Sequence, residues 1–194
     1  YKAQIIERPP ELATPESLTE DVLIHAGIEI KKRLGRAPSL VVLVFANCPA
    51  IDVELIREGI EVLHNDSNLD SAFSVCQYNM FTPNRARRLS GDGIIESFVP
   101  PEALGENLSS IRGSQGDTYF CDLSVQVLRW RCLEHMDEGM QPFQWMGRRS
   151  KALINDYGFD VDSDWQLGVV EKWLRNRGIT ENSVPYDLGD PEDW

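Results

Sequence analysis

Asp160 and Asp162 stand out in this chain because their type and spacing suit a divalent cation. In an extended segment, residues i and i+2 point the same way, so both carboxylates would face one side while Phe159 and Val161 face the other. Mg²⁺ typically uses one or two protein carboxylates and fills its other positions with water and phosphate oxygens. The pattern indicates a metal–phosphate site, and the alternative is an acidic loop that caps a helix.

Basic and amide side chains elsewhere suit the recognition of an anionic, hydroxylated ligand. Asn79 and Gln115 are candidate partners for ligand hydroxyl groups, and a polar loop position without such a role is the alternative for both. Arginine binds carboxylates through its bidentate fork. The candidate arginines, each with a solvated surface position as the alternative, are Arg85, Arg87, Arg88, Arg112, Arg148 and Arg149.

Composition narrows the class of protein. The 194 residues are 42% hydrophobic, enough to bury the core of one domain. The four cysteines have no CxxC spacing, which predicts buried free thiols in a reducing cytoplasm. No apolar run is long enough for a bilayer, no signal peptide opens the sequence, and a net charge of -12 argues against a nucleic-acid partner. We expect a cytoplasmic protein without membrane or nucleic-acid partners.

The first half of the chain alternates between strand and helix patterns. A capping box at Ser17 and Glu20 predicts a helix that ends at Gly35. The apolar run 40–45 predicts a central parallel strand covered on both faces. Such alternation implies right-handed βαβ units, and hence a three-layer α/β fold with a mainly parallel sheet. The other elements predicted here are a strand at 3–7, a helix at 52–63 and a strand at 72–76.

The second half contains an insertion and the candidate metal site. Prolines and glycines at 77–118 predict an insertion with a hairpin around Gly91-Asp92-Gly93. A second capping box, Ser163 to Gln166, opens a helix that runs to Gly178. The aspartate pair would lie at the carboxyl end of a strand and ahead of a helix N-terminus, where anionic ligands bind. The remaining expectations are a strand at 119–128, a helix at 131–138, a strand at 145–149, a single domain at 1–180 and an acidic tail at 181–194.

Four segments, in order, resemble one enzyme family. RPPELA at 8–13 followed by EDVL at 20–23 resembles an "RPxELA…ED" segment, and VVLVFANCP at 41–49 lies where the family has "VVLLQPTSP". DSAFSV at 70–75 is similar to a "DSVxSV" strand, and FDVD at 159–162 is similar to an "IDID" metal signature. The family comprises the cytidylyltransferases that make CMP-sialic acid and related CMP-activated acidic sugars.

The resemblance implies a fold of the nucleotide-diphospho-sugar transferase type and a homodimer in which the insertion forms much of the subunit contact. It implies that CTP and a nonulosonic acid react to give a CMP-sugar and pyrophosphate, with Mg²⁺ as cofactor. The site residues it implies are Asp160 and Asp162 as catalytic metal ligands, Arg8, Ala13 and Thr14 near the nucleotide, and Arg112 reaching the partner subunit's site.

The sequence also departs from the family pattern. The glycine-rich "RxGSKGxxxKN" loop, which holds the triphosphate and base, is not found, so a fragment or a homologue without turnover is expected. Phe45 replaces the family's Gln, Asn47 and Cys48 replace its Thr-Ser, and Ile51 replaces its Arg. Where the family has a strand with the sequence "NGAIYI", this chain has DLSVQV at 122–127.

Three hypotheses follow from these patterns. The first is a cytidylyltransferase that activates a nonulosonic acid. The second is a non-catalytic homologue that keeps the fold and the dimer interface. The third is a sugar transferase that uses its aspartate pair to hold a nucleotide-sugar and releases no pyrophosphate from CTP.

Overall fold

The computed structural model describes residues 3–104, 109–111, 113–158 and 160–183, which form an α/β fold with a mixed sheet. A two-stranded antiparallel hairpin stands apart from the main sheet. The helices are α1 (Thr19–Leu34), α2 (Val53–Asn65), α3 (Arg131–Glu134) and α4 (Asp164–Asn176). The strands are β1 (Leu40–Leu43), β2 (Ser71–Gln77), β3 (Arg87–Leu89), β4 (Ile95–Ser97), β5 (Tyr119–Arg129) and β6 (Ser150–Asn155).

The main sheet has the strand order β1-β5-β2-β6. β5 runs antiparallel to both of its neighbours, with Leu40 opposite Arg129 and Ser71 opposite Leu128. β2 and β6 are parallel, and Cys76 pairs with Asn155 where both strands end. The prediction of a mainly parallel sheet therefore needs correction, because the long insertion returns the chain as an antiparallel strand between β1 and β2.

Both faces of the sheet are covered by apolar side chains. On one face α2 packs on β2, β5 and β6, and its Leu55 and Leu63 join Val127 and Leu153 in one buried cluster. The contact is close: a Cβ on Gly59 would lie 2.6 Å from the Val127 Cγ2 atom. The cluster on the other face contains Phe73, Leu128, Cys132, Met136 and Trp145. This second cluster includes residues of α3 and of the short 3₁₀ turns that follow it.

Several predicted elements are confirmed with small shifts in their ends. The helices that begin after Asp52 and Ser163 are present, and so is the hairpin, whose β3 and β4 flank residues 91–93. Asp52 caps α2 by accepting a hydrogen bond from the Glu54 amide at 2.8 Å. The capping box of Ser163 and Gln166 is formed. Local signals were sufficient for these elements because each one is fixed by residues close in sequence.

Other predictions were wrong. Residues 3–7 form no strand, and residues 144–146 form a 3₁₀ turn in place of the strand predicted at 145–149. The capping box at Ser17 is not formed, since its hydroxyl accepts a hydrogen bond from the Thr14 amide at 3.0 Å and α1 begins after Leu18. β1 is not central: within the described residues it pairs only with β5, and Val42 is 40% exposed.

The acidic tail predicted at 181–194 lies largely outside the described residues, which end at 183. Among the helices of the described part, none has the length and apolar character needed to cross a membrane.

Candidate functional site

One edge of the main sheet collects the polar segments that follow or precede its strands. Asn47 and Cys48 follow β1, Tyr78 follows β2, and Asp160 follows β6. Because β5 runs the other way, the segment that precedes it, which includes Asp117, reaches the same edge. Side chains far apart in sequence therefore meet here, as expected for a ligand site at strand ends.

The two predicted carboxylates do come together. Burial raises the pKa of Asp160, its own backbone amide acts in the opposite direction, and the charge and hydrogen bonding of the Asp162 carboxylate raise it further. Asp160 is half-buried whereas Asp162 is exposed. The pair follows β6, which ends at Asn155, by several residues, so it lies beyond the strand end at which it was predicted. Two repelling carboxylates open to solvent on one side are suited to share a cation.

Three hydrogen bonds fix the backbone around this pair. The Val161 amide donates to the Asn47 carbonyl oxygen at 2.8 Å. The amides of Asp162 and Ser163 both donate to Gln166 Oε1, at 2.7 and 2.6 Å. The capping box of α4 thus holds Asp162 at the positive end of a helix of 13 residues.

Asn47 and Cys48 lie next to the aspartates. Asn47 Nδ2 donates to Asp162 Oδ1 at 3.4 Å, and Cys48 is 1% exposed. Burial raises the pKa of the Cys48 thiol to about 12, and the charges of Asp160, Asp122 and Asp162 act in the same direction. Cys48 is therefore a neutral, buried thiol and not a nucleophile at neutral pH.

The predicted amides Asn79 and Gln115 lie near one another on the insertion. Asn79 Nδ2 donates to Asp117 Oδ1 at 2.9 Å, and Asn79 Oδ1 accepts the Thr118 amide at 2.9 Å. Gln115 Oε1 accepts from Arg85 Nε at 3.1 Å. Asn79 and Gln115 line a cavity of about 440 Å³ together with Arg85. A second cavity of about 540 Å³ shares Arg85 and Gln115 with the first and is also lined by Arg87.

The remaining candidates lie elsewhere. Arg112 is outside the described residues. Arg8, Ala13 and Thr14 are exposed in the segment before α1, and within the described part of the chain no hydrogen bond or ion pair joins them to the aspartates. Arg148 and Arg149 lie at the opposite edge of the sheet, where their amides donate to Asp70 Oδ2 at 2.9 Å each.

Sequence reasoning missed two contributors to this edge, Tyr78 and Asp122. Tyr78 Oη donates to the Gly158 carbonyl oxygen at 3.1 Å, and burial raises the pKa of that phenol. Asp122 is 4% exposed and is the one acidic residue of β5. A lone acid in such a strand was the available signal, since a buried carboxylate must be hydrogen-bonded.

The donor set limits which metal would fit. Among residues 3–104, 109–111, 113–158 and 160–183, no group of three or more His, Cys, Asp or Glu side chains could hold an ion. A cation at Asp160 and Asp162 would therefore complete its shell with water and ligand oxygens, as Mg²⁺ does and a structural Zn²⁺ does not.

No protein-family model matches this chain, and a search of curated proteins found no significant match either.

Proposed function

We propose that this chain is a Mg²⁺-dependent nucleotidyltransferase of the cytidylyltransferase type, which activates a nonulosonic, sialic-acid-like sugar with CTP. The observation that carries the proposal is the proximity of the Asp160 and Asp162 carboxylates. The pair is open to solvent at the sheet edge, just ahead of α4. The resemblance of the FDVD segment to a cytidylyltransferase metal signature supports the choice of reaction. The fold would then be of the nucleotide-diphospho-sugar transferase type, with three layers.

The reaction asks for positioning and charge neutralisation more than for covalent chemistry by the protein. The sugar hydroxyl attacks the α-phosphorus of CTP, its proton goes to solvent, and pyrophosphate leaves. Asp160 and Asp162 would hold the Mg²⁺, and the bound ion supplies charge neutralisation on the phosphate oxygens. The backbone bonds of Val161 and Asp162 keep both carboxylates in place, which limits reorganisation during the reaction.

An acidic sugar needs cationic and amide partners in addition to the metal centre. Arg85, Gln115 and Asn79 line a cavity of about 440 Å³, which is large enough for a small ligand. In the proposed site, Arg85 would bind the sugar carboxylate, and the two amides would bind hydroxyl groups. Arg112 would come from the partner subunit, as the resemblance implies.

The insertion would form the interface of a homodimer. Its β3–β4 hairpin exposes large apolar side chains that a solitary hairpin does not bury: Leu89 is 71% exposed and Ile95, its partner across the strands, 69%. Ile94 and Phe98, at 61% and 59%, extend this hairpin patch of Leu89, Ile94, Ile95 and Phe98. Several exposed large apolar side chains on one hairpin favour a contact with another protein surface.

Pyrophosphate release from CTP tests the proposal. The full-length protein is purified and incubated with CTP, Mg²⁺ and a panel of nonulosonic acids. We expect release with at least one acid, and Asp160→Asn and Asp162→Asn should each lower the rate about a thousandfold. Asp164→Asn, an exposed acid in the same segment but outside the pair, is the matched control and should keep the rate within about threefold.

A non-catalytic homologue is the competing function, favoured by the departures at Phe45, Asn47 and Cys48 from the family pattern. It predicts a stable dimer but no change in melting temperature with CTP and Mg²⁺. A nucleotide that binds the folded state raises the melting temperature by mass action. A melting temperature unaffected by CTP and Mg²⁺, together with no pyrophosphate release, would therefore favour the homologue.

A further inference from the structure

Asp122 lies at the centre of a buried hydrogen-bond network beneath the carboxylate pair. Its Oδ1 accepts from the Ser74 hydroxyl at 2.5 Å and from the Ser124 amide at 2.8 Å. Its Oδ2 accepts from the Cys76 thiol at 3.1 Å and from Asn155 Nδ2 at 3.2 Å. The donors come from β2, β5 and β6, so one carboxylate joins three strands.

An irregularity in β5 creates this network. Leu123 has a φ of 60°, and the β2–β5 register shifts between Phe73 and Val75. Ser74 therefore has no paired residue on β5, although it pairs with Leu153 of β6. Its hydroxyl accepts the Val125 amide at 2.9 Å while donating to Asp122. A non-glycine residue in the left-handed region is strained, and such strain persists only where surrounding bonds hold it.

Gly158 lies directly over this network. A Cβ at position 158 would come within 2.7 Å of Ser124 Oγ and 2.8 Å of Asp122 Cγ, so only glycine fits. The Tyr78 hydroxyl, which also contacts the Cys76 thiol of this network, donates to the Gly158 carbonyl oxygen at 3.1 Å. Asp122 and Tyr78 thus both contact the chain two residues before Asp160.

Asp122 does not hold the cation itself. Each of its oxygens already accepts two hydrogen bonds, and the residue is 4% exposed. Its nearest link to the carboxylate pair along the chain is its close contact with Gly158.

We infer that Asp122 is the positioning residue of the carboxylate pair: its hydrogen-bond network fixes the position of Gly158 and thereby the position of Asp160. The inference rests on the proposed function, in which the pair binds a divalent cation. Residues that hydrogen-bond to a metal's ligands orient those ligands without touching the ion. Removing such a residue weakens metal affinity by about tenfold to a hundredfold.

Mn²⁺ binding to the purified protein, followed by electron paramagnetic resonance, provides the first readout. Asp122→Asn keeps the volume but turns an N–H toward the donors Cys76 and Asn155. We expect the Mn²⁺ dissociation constant to rise about tenfold or more. Asp70→Asn is the matched control, since Asp70 is a carboxylate that accepts three hydrogen bonds at the opposite edge of the sheet. The Mn²⁺ affinity of this variant should stay within about twofold of wild type.

Amide hydrogen exchange of Val161 and Asp162, measured without metal, is the second readout. Faster exchange at both amides in Asp122→Asn, but not in Asp70→Asn, supports the inference. Unchanged exchange and unchanged Mn²⁺ affinity in Asp122→Asn, with a lowered melting temperature, overturns it and leaves Asp122 a purely structural residue. If Asp122→Asn does not fold, Tyr78→Phe removes the hydroxyl that bonds the Gly158 carbonyl oxygen and contacts the Cys76 thiol of the same network, and it gives the same test with a smaller expected shift.

The two proposals fail in different ways. A wild-type protein that binds no Mn²⁺ contradicts the proposed function, whereas the exchange experiment still decides whether Asp122 positions the segment.

Discussion

Asn47 contacts the aspartate segment through both its backbone and its side chain. Its carbonyl oxygen accepts the Val161 amide at 2.8 Å, and its Nδ2 lies 3.4 Å from Asp162 Oδ1. The turn after β1 is thereby joined to the segment after β6, across the whole width of the four-stranded sheet.

The side-chain contact is removed by Asn47→Ala, which leaves the backbone bond to Val161. We expect the Mg²⁺ concentration for half-maximal pyrophosphate release to rise about tenfold, because Asp162 loses a partner that orients it. Asn176→Ala, at an exposed position on α4, should leave the Mg²⁺ dependence unchanged. Identical Mg²⁺ curves for Asn47→Ala and wild type would show that this contact does not orient the carboxylate.

Asp160→Asn should stabilise the metal-free protein while abolishing activity. The folded-state pKa of Asp160 is raised, so its ionisation costs stability above that pKa and the cost disappears as the pH falls. Since the site is partly solvated, we expect a gain of about 1–2 °C in melting temperature at pH 7 and none near pH 3. Mg²⁺ should raise the melting temperature of wild type but not of the variant. A lower melting temperature in the metal-free variant would contradict this account.

Asp70 shows the opposite pH dependence. Burial disfavours its ionisation, but the amides of Arg149 and Arg148 and the Arg131 guanidinium together hold the pKa of its carboxyl below the ordinary value. Its contribution is therefore present above the unfolded-state pKa, about 4, and lost as the pH falls through the folded-state pKa. Asp70→Asn should lower the free energy of unfolding by about 1–3 kcal/mol at pH 7 and by less at pH 3. Urea unfolding at both pH values measures the difference, and an equal loss at both would rule out the ionic contribution.

The hairpin patch predicts how the protein assembles. Ile95→Asp places a charge opposite Leu89 in the proposed dimer contact, and we expect a monomer by light scattering at micromolar concentration. Ile28→Glu, on α1, changes a residue that is 61% exposed and should leave the mass unchanged. Wild-type protein that is already monomeric would exclude the hairpin as a dimer contact under these conditions.

The sequence predicted the parts of this fold that are fixed locally. The Ser163–Gln166 capping box and the turn at 91–93 form as expected, because their bonds lie within a few residues. Strand direction was predicted wrongly, since nothing in the run at 119–128 distinguishes an antiparallel partner from a parallel one. The Ser17 hydroxyl was expected to cap α1, but the preceding turn at Thr14 competes for it.

The candidate site was predicted in part for a similar reason. The spacing of Asp160 and Asp162 was sufficient to predict that they form a pair, and both lie beyond β6. Asn47 contacts Val161, more than a hundred residues further along the chain, and Gly158 lies against Asp122 of β5, so no local pattern encodes either contact. Gly158 requires a particular neighbour, Asp122, and only the three-dimensional structure identifies it.

The position of β5 has a consequence for how the chain is made. Within the described residues, β1 pairs only with β5, so Leu40 cannot pair until Arg129 has been synthesised. During synthesis, the apolar strands β1 and β2 leave the ribosome long before the strand that lies between them. Pairings between strands far apart in sequence slow folding and leave aggregation-prone intermediates, which chaperones bind. We therefore expect the nascent chain to gain protease resistance only after residue 129 has emerged.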